Sequence, residues 1–148
     1  MGYTQDMASK NLKYIVGEYS FTSSSIIRYM ALSSTKPNVN GGNVTEPTAP
    51  SYARTLLGAT GSSSGFSGIN HFAEPVPTDD GEGMKIVNNS EIHFNEALED
   101  WGELKYFAIY DSLTGGTPIY IGELTEKIHP VVNTVPLIRV GKMEITLK

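Results

Sequence analysis

The chain has 148 residues, a formal net charge of −5 and no cysteine. That length fits one domain, large enough to bury about two-thirds of its unfolded surface unaided. The missing cysteines exclude a disulfide framework, a zinc finger and thiol catalysis, and the acidic balance argues against a phosphate-binding surface. Charged residues make up only 18%, and Ser, Thr, Asn, Gly and Pro supply turns and long loops. Eight tyrosines suit sandwich faces and interfaces, with an apolar ring and a wet hydroxyl. The start, MGYTQDMASK, lacks the basic end and apolar run of a signal peptide. Asp6 stands where a myristoylation motif wants Ser or Thr. No apolar run approaches the roughly 20 residues of a membrane span. The expectation is a soluble chain made in a cytoplasm, with neither a membrane nor a nucleic acid as partner.

Residues 4–18 read as one helix. Ala8, Leu12, Ile15, Val16 and Tyr19 recur at i, i+4, i+7, i+8 and i+11 and form a single apolar stripe. Thr4 can cap its start, and Asp6 can pair with Lys10 one turn on. The stripe has two readings: it packs on the rest of the chain, or Leu12, Ile15, Val16 and Tyr19 form an interface with another subunit. Strands follow at 26–32, 52–57 and 84–87. Between them lie Pro/Gly-rich stretches at 33–50 and 58–83 that suit neither a helix interior nor a central strand. The most informative segment is SEIHFNEALEDWGELKYFAIYDSLTGGTPIYIGEL, residues 90–124. Its 91–94 alternates, its 104–110 is almost wholly apolar as in a strand covered on both faces, and 119–121 follows the Gly115–Gly116 pair, which can reverse the chain. Further strands are expected at 128–132, 135–140 and 143–147. The sum is an all-β, antiparallel, jelly-roll-like sandwich of about eight strands, residues 26–148, preceded by a helix and linker, residues 1–25.

Motifs for chemistry are weak. Gly61-Ser62-Ser63-Ser64-Gly65 matches G-x-S-x-G, but no strand precedes and no helix follows to strain the turn and present Ser63. His71, His93 and His129 share no ligand-like spacing. Asp79, Asp80 and Glu82 do not have the spacing of a calcium loop. Glu96, Glu99 and Asp100 fit a polar strand corner better than a glycosidase acid pair. No catalytic residue, cofactor or metal site is expected. Trp101, the only tryptophan, is expected to cover the end of the sandwich with its N–H on a loop carbonyl, and Gly102 to let the corner turn sharply.

Several pieces in order carry a resemblance. They are the N-terminal helix, YMALSSTKP (29–37) leading to NVTEP (43–47), SYAR (51–54), EIHFNEALEDWGELKYFAIYDSLTGG (91–116), G-x-L-T (122–125) and the terminal MEITLK. Together they resemble a family of small virion proteins of tailed bacteriophages, described as tail-fibre-like, head-fibre or capsid decoration proteins. The stretch 58–83 departs from that pattern, being longer and richer in Pro and Gly. The resemblance implies a non-enzymatic virion protein used in many copies, as a homo-oligomer, most simply a trimer. Its first implied role is a capsid decoration or cement protein that binds the major capsid protein between capsomers. The alternative is a tail or head fibre component whose loops contact a host receptor.

Overall fold

A computed structural model describes residues 3–22, 25–60 and 70–147. Its elements are α1 (Gln5–Ile15), β1 (Ile26–Ser33), β2 (Thr55–Thr60), β3 (Val76–Pro77), β4 (Met84–Val87), β5 (Ile92–His93), β6 (Leu104–Tyr110), β7 (Tyr120–Ile128), β8 (Leu137–Ile138) and β9 (Glu144–Leu147). Every strand pair is antiparallel. One layer is a four-stranded sheet in the order β2-β1-β6-β7. The other is assembled from the sheet β3-β4-β9, the pair β5-β8 and the helix. The fold is an antiparallel all-β sandwich with one helix.

Alternation along the strands explains the core. Met30 and Leu32 of β1 lie beside Ile109 and Phe107 of β6. They meet Ile86 and Ile145 of the three-stranded sheet and Ile92 and Ile138 of the short pair in one buried apolar cluster. The opposite face of β1 and β6 is also covered: Ala31, Ala108 and Tyr110 form a second, smaller cluster with Val44 and Ile121. This is why β6 reads as apolar throughout.

Thr4 caps the helix by accepting the Met7 N–H. Of its apolar stripe, Ala8, Leu12 and Val16 are buried in the main core, and Ile15 packs partly buried against it. The helix lies on β4 and β9. Its end meets β2 backbone to backbone: a Cβ on Gly58 would stand 2.1 Å from the Val16 carbonyl oxygen, so only glycine permits that approach. Thr60 then donates to the Gly17 carbonyl at 2.7 Å. The first of the two readings of the stripe is therefore the one the structure has. Leu12 and Val16 are enclosed by their own chain and are not surface for a partner, which corrects the expectation of an interface built on them. Tyr19 alone of the stripe stands apart from the core, edge-on to Phe21 at 5.1 Å.

Three strand expectations also change. Residues 52–57 become β2 at Thr55–Thr60, because Tyr52 and Arg54 are used as side-chain anchors ahead of the strand. The strand expected at 119–121 continues to Ile128 as β7. Residues 129–136 form a loop in which Val131, Val132 and Val135 are exposed. Gly115 and Gly116 have φ of 66° and 79°, in the turn between β6 and β7.

Candidate functional site

The outer face of the four-stranded sheet carries a connected polar arrangement. It begins with a shortage. β2 pairs with β1 only as far as Met30, so beyond that point the β1 edge has no strand beside it. Tyr52 fills the gap: its hydroxyl accepts the Leu32 N–H at 3.1 Å and donates to Glu46 Oε1 at 2.6 Å. Burial and the adjacent carboxylate both push the Tyr52 hydroxyl above the ordinary tyrosine range, so it stays protonated. Ser33 extends the same edge, its hydroxyl accepting the Thr45 N–H at 2.9 Å and donating to the Thr35 carbonyl at 2.7 Å.

Arg54 is the centre of this seam. Its side chain is 5% exposed, against 26% for its partner Glu46. Nε and Nη2 donate to the two carboxylate oxygens of Glu46 at 3.1 and 2.9 Å, the forked geometry that only arginine offers. Nη1 donates to the Ser112 and Gly115 carbonyls, both at 2.9 Å, and so holds the β6–β7 turn. The guanidinium stacks 3.5 Å from the ring centre of Tyr110. An open cleft of about 220 Å³ lies over this pair, with Pro47, Ala53, Leu113 and Thr114 on its walls.

Ser51 and Tyr52 tie the seam to the tryptophan corner. Trp101 is 5% exposed and stands edge-on to Tyr52 at 5.3 Å. Its indole N–H donates to Ser51 Oγ at 3.0 Å, not to a loop carbonyl as expected from sequence. Ser51 Oγ in turn donates to Glu99 at 2.7 Å and accepts the Leu98 N–H at 3.1 Å. Gly102 has a φ of 84°. Asp100 closes the corner by accepting the Gly102 N–H at 2.7 Å, with His129 Nε2 also 2.7 Å away. These two bonds hold its carboxyl below the usual range, the backbone N–H more than the histidine.

The candidate chemical residues do not converge. His71 Nδ1 lies against the Leu57 carbonyl, His93 beside Glu91 and His129 beside Asp100. Asp80 folds back on Thr78 and the Glu82 N–H. Among the described residues no group of three His, Asp or Glu is placed to hold a metal. No described helix is long and apolar enough to cross a membrane. Ser63 and its G-x-S-x-G run lie outside the described residues.

The seam itself was not foreseen. Glu46, Ser51, Tyr52 and Arg54 entered the sequence reading only as letters of NVTEP and SYAR. One signal was available: Arg54 is the one Lys or Arg between Lys36 and Lys85, and it stands directly before an apolar strand.

The pieces NVTEP, SYAR, EDWG and DSLTGG thus meet in space, and what they build is a brace. The arrangement defines a β-sandwich whose loop 34–50 and β6–β7 turn are fixed to one sheet face. The family model described as podophage GP4 fiber I protein gp80 matches residues 2–146, and the chain belongs to that family. It is a structural protein of a tailed-phage virion. No curated protein matches it.

Proposed function

We propose that the chain is a non-catalytic component of a virion fibre, and that the loop 34–50 is the surface it presents to a host receptor. The observation that carries this reading is the match, over nearly the whole chain, to a family of fibre proteins. It favours the fibre role over the capsid decoration role that the resemblance put first.

The loop's construction supports the same reading. A receptor-binding loop gains affinity when its shape is set before contact. Here the Asn38 N–H donates to the Gly42 carbonyl at 2.8 Å and the Gly41 N–H to the Asn38 carbonyl at 2.9 Å. Asn43 donates back to the Lys36 carbonyl at 2.8 Å, and Thr35 to the Asn43 carbonyl at 2.7 Å. Val39 stands fully exposed at the tip of this turn. Non-catalytic function is supported by the seam, where Glu46, Arg54, Tyr52 and Ser51 are all engaged within the chain.

The test is a phage lacking the gene. A fibre component predicts particles as heat-resistant as wild type that adsorb poorly, with adsorption also lowered by Val39→Asp. Particles that adsorb normally but release DNA at lower temperature would establish the decoration role instead.

A further inference from the structure

Asn40 is the one asparagine in the chain that a glycine follows. It stands exposed at the tip of loop 34–50, next to Val39. The turn around it is built from three bonds. The Asn38 N–H donates to the Gly42 carbonyl at 2.8 Å and the Gly41 N–H to the Asn38 carbonyl at 2.9 Å. The Gly42 N–H donates to the side-chain oxygen of Asn40 at 2.9 Å. The side-chain nitrogen of Asn40 has no hydrogen-bond partner among the described residues.

We propose that Asn40 is a site of self-modification, at which the side-chain amide is lost to the backbone nitrogen of Gly41 and the residue becomes aspartate or isoaspartate. The Gly41 nitrogen gives its proton to solvent base and bonds to the side-chain carbonyl carbon of Asn40. The side-chain nitrogen takes a proton from solvent and leaves as ammonia, and a five-membered succinimide remains. Water then opens the ring. Cleavage between the Gly41 nitrogen and the side-chain carbon gives aspartate. Cleavage between the Gly41 nitrogen and the main-chain carbonyl gives isoaspartate, with a main chain one carbon longer. The step is a hydrolysis and needs no oxidant or reductant.

The local structure directs the reaction to this residue. Gly41 has no Cβ to hinder ring closure. Negative charge develops on the side-chain oxygen as the ring bond forms, and the Gly42 N–H already donates to that atom, the placement that stabilises an oxyanion. The nitrogen that leaves is unpartnered and reaches solvent. One bond opposes the attack, the Gly41 N–H on the Asn38 carbonyl, and it lies in an exposed turn where opening is a local event. The product changes the shape of the tip. A Cβ on Gly41 would stand 3.1 Å from Thr117 Cγ2 and 3.2 Å from Pro118 Cδ, so the tip is closely seated on the residues ahead of β7. An added main-chain carbon moves Gly41 out of that seat, and a new carboxylate appears beside Val39. This chemistry belongs to the tip itself and does not depend on what the loop contacts.

The test ages the folded full chain in warm, mildly alkaline buffer. Peptide mapping by mass spectrometry should find the amide-to-acid mass gain at Asn40 ahead of every other asparagine, and isoaspartyl methyltransferase should label the same peptide. Asn40→Gln must close a larger ring, which is far slower, and should remove both signals while keeping the wild-type melting curve. Hydrogen exchange across residues 34–50 should quicken in the aged chain and not in aged Asn40→Gln. An Asn40 that stays intact in the aged folded chain overturns the proposal. If the chain in urea reacts where the folded chain does not, the proposal also falls, because the Gly41–Asn38 bond then protects the pair. Modification with unchanged hydrogen exchange overturns the displacement of the tip.

Discussion

The two faces of the four-stranded sheet are buried by different physics. On the inner face Met30, Leu32, Phe107 and Ile109 are covered by apolar groups from two small sheets and a helix. On the outer face small residues, Ala31 and Ala108, make room beneath Tyr110, Arg54 and a loop held by hydrogen bonds. Apolar burial is non-directional, so the inner face tolerates exchange of one hydrophobe for another of similar volume. A forked ion pair works only in one geometry and leaves a stranded charge when one partner goes. The inner face holds the fold together, and the outer face fixes where the loops point.

The sharpest way to break this contrast is a charge in the inner layer. Leu12 is fully buried under β4 and β9, and Leu12→Asp places a carboxylate there with no partner. The expected loss is about 4 kcal/mol or more. The chain should melt far below wild type in a thermal scan, not merely lose an association. A folded Leu12→Asp protein with a normal melting temperature would return the helix to the surface as an interface.

The outer face should answer less strongly but with more coupling. Arg54→Met removes the fork and the contact with the Ser112 and Gly115 carbonyls, and strands Glu46. The expected cost is about 3 kcal/mol, at the low end for a buried pair because Glu46 keeps some solvent contact. Glu46→Gln added to Arg54→Met should recover part of that loss, since it removes the stranded charge. Strict additivity in urea melts would mean that the two residues do not act as a pair. Gly102→Ala should be milder still. A Cβ there meets nothing within 4 Å, so only the left-handed backbone opposes it. About 1–2 kcal/mol is expected, and no measurable change would show that the corner relaxes.

The same contrast explains what could be read from the sequence. Inner-face strands β1, β4 and β6 announce themselves because burial on one or both faces imprints a period on neighbouring residues. β7 was cut short because Glu123, Thr125, Glu126 and Lys127 give a polar pattern, as an edge strand with one buried residue does. The valines at 131, 132 and 135 looked like strand and are exposed loop, since β-branched residues carry no mark of where their neighbours lie. The seam was invisible for a different reason. Arg54 meets carbonyls 58 and 61 residues away and a carboxylate across a proline-rich loop, and no local period encodes such contacts. Trp101 was foreseen as a buried cover, but its partner, 50 residues upstream at Ser51, was not.

The smallest expected effect tests the inner layer at a titratable joint. Glu18 follows the helix, and its carboxylate accepts the Phe72 N–H at 3.2 Å. Burial raises its carboxyl from the ordinary 4.5 to about 7, against the pull of that N–H. The folded chain therefore binds a proton here more tightly than the unfolded chain does. The contribution is favourable in full below pH about 4.5 and is lost as pH rises through about 7. Asp100, Glu103 and Glu126 have the opposite sign: their folded carboxyls are lowered, so what they add disappears only as pH falls through the acid range. Between pH 5 and 8 the two sets separate. Glu18→Gln keeps an oxygen for the Phe72 N–H and cannot ionise. It should match wild type near pH 5 and melt slightly higher at pH 8. If the two melting temperatures run parallel across that interval, Glu18 is not buried as a carboxylate against the helix end, and the inner layer has no pH-dependent joint at this position.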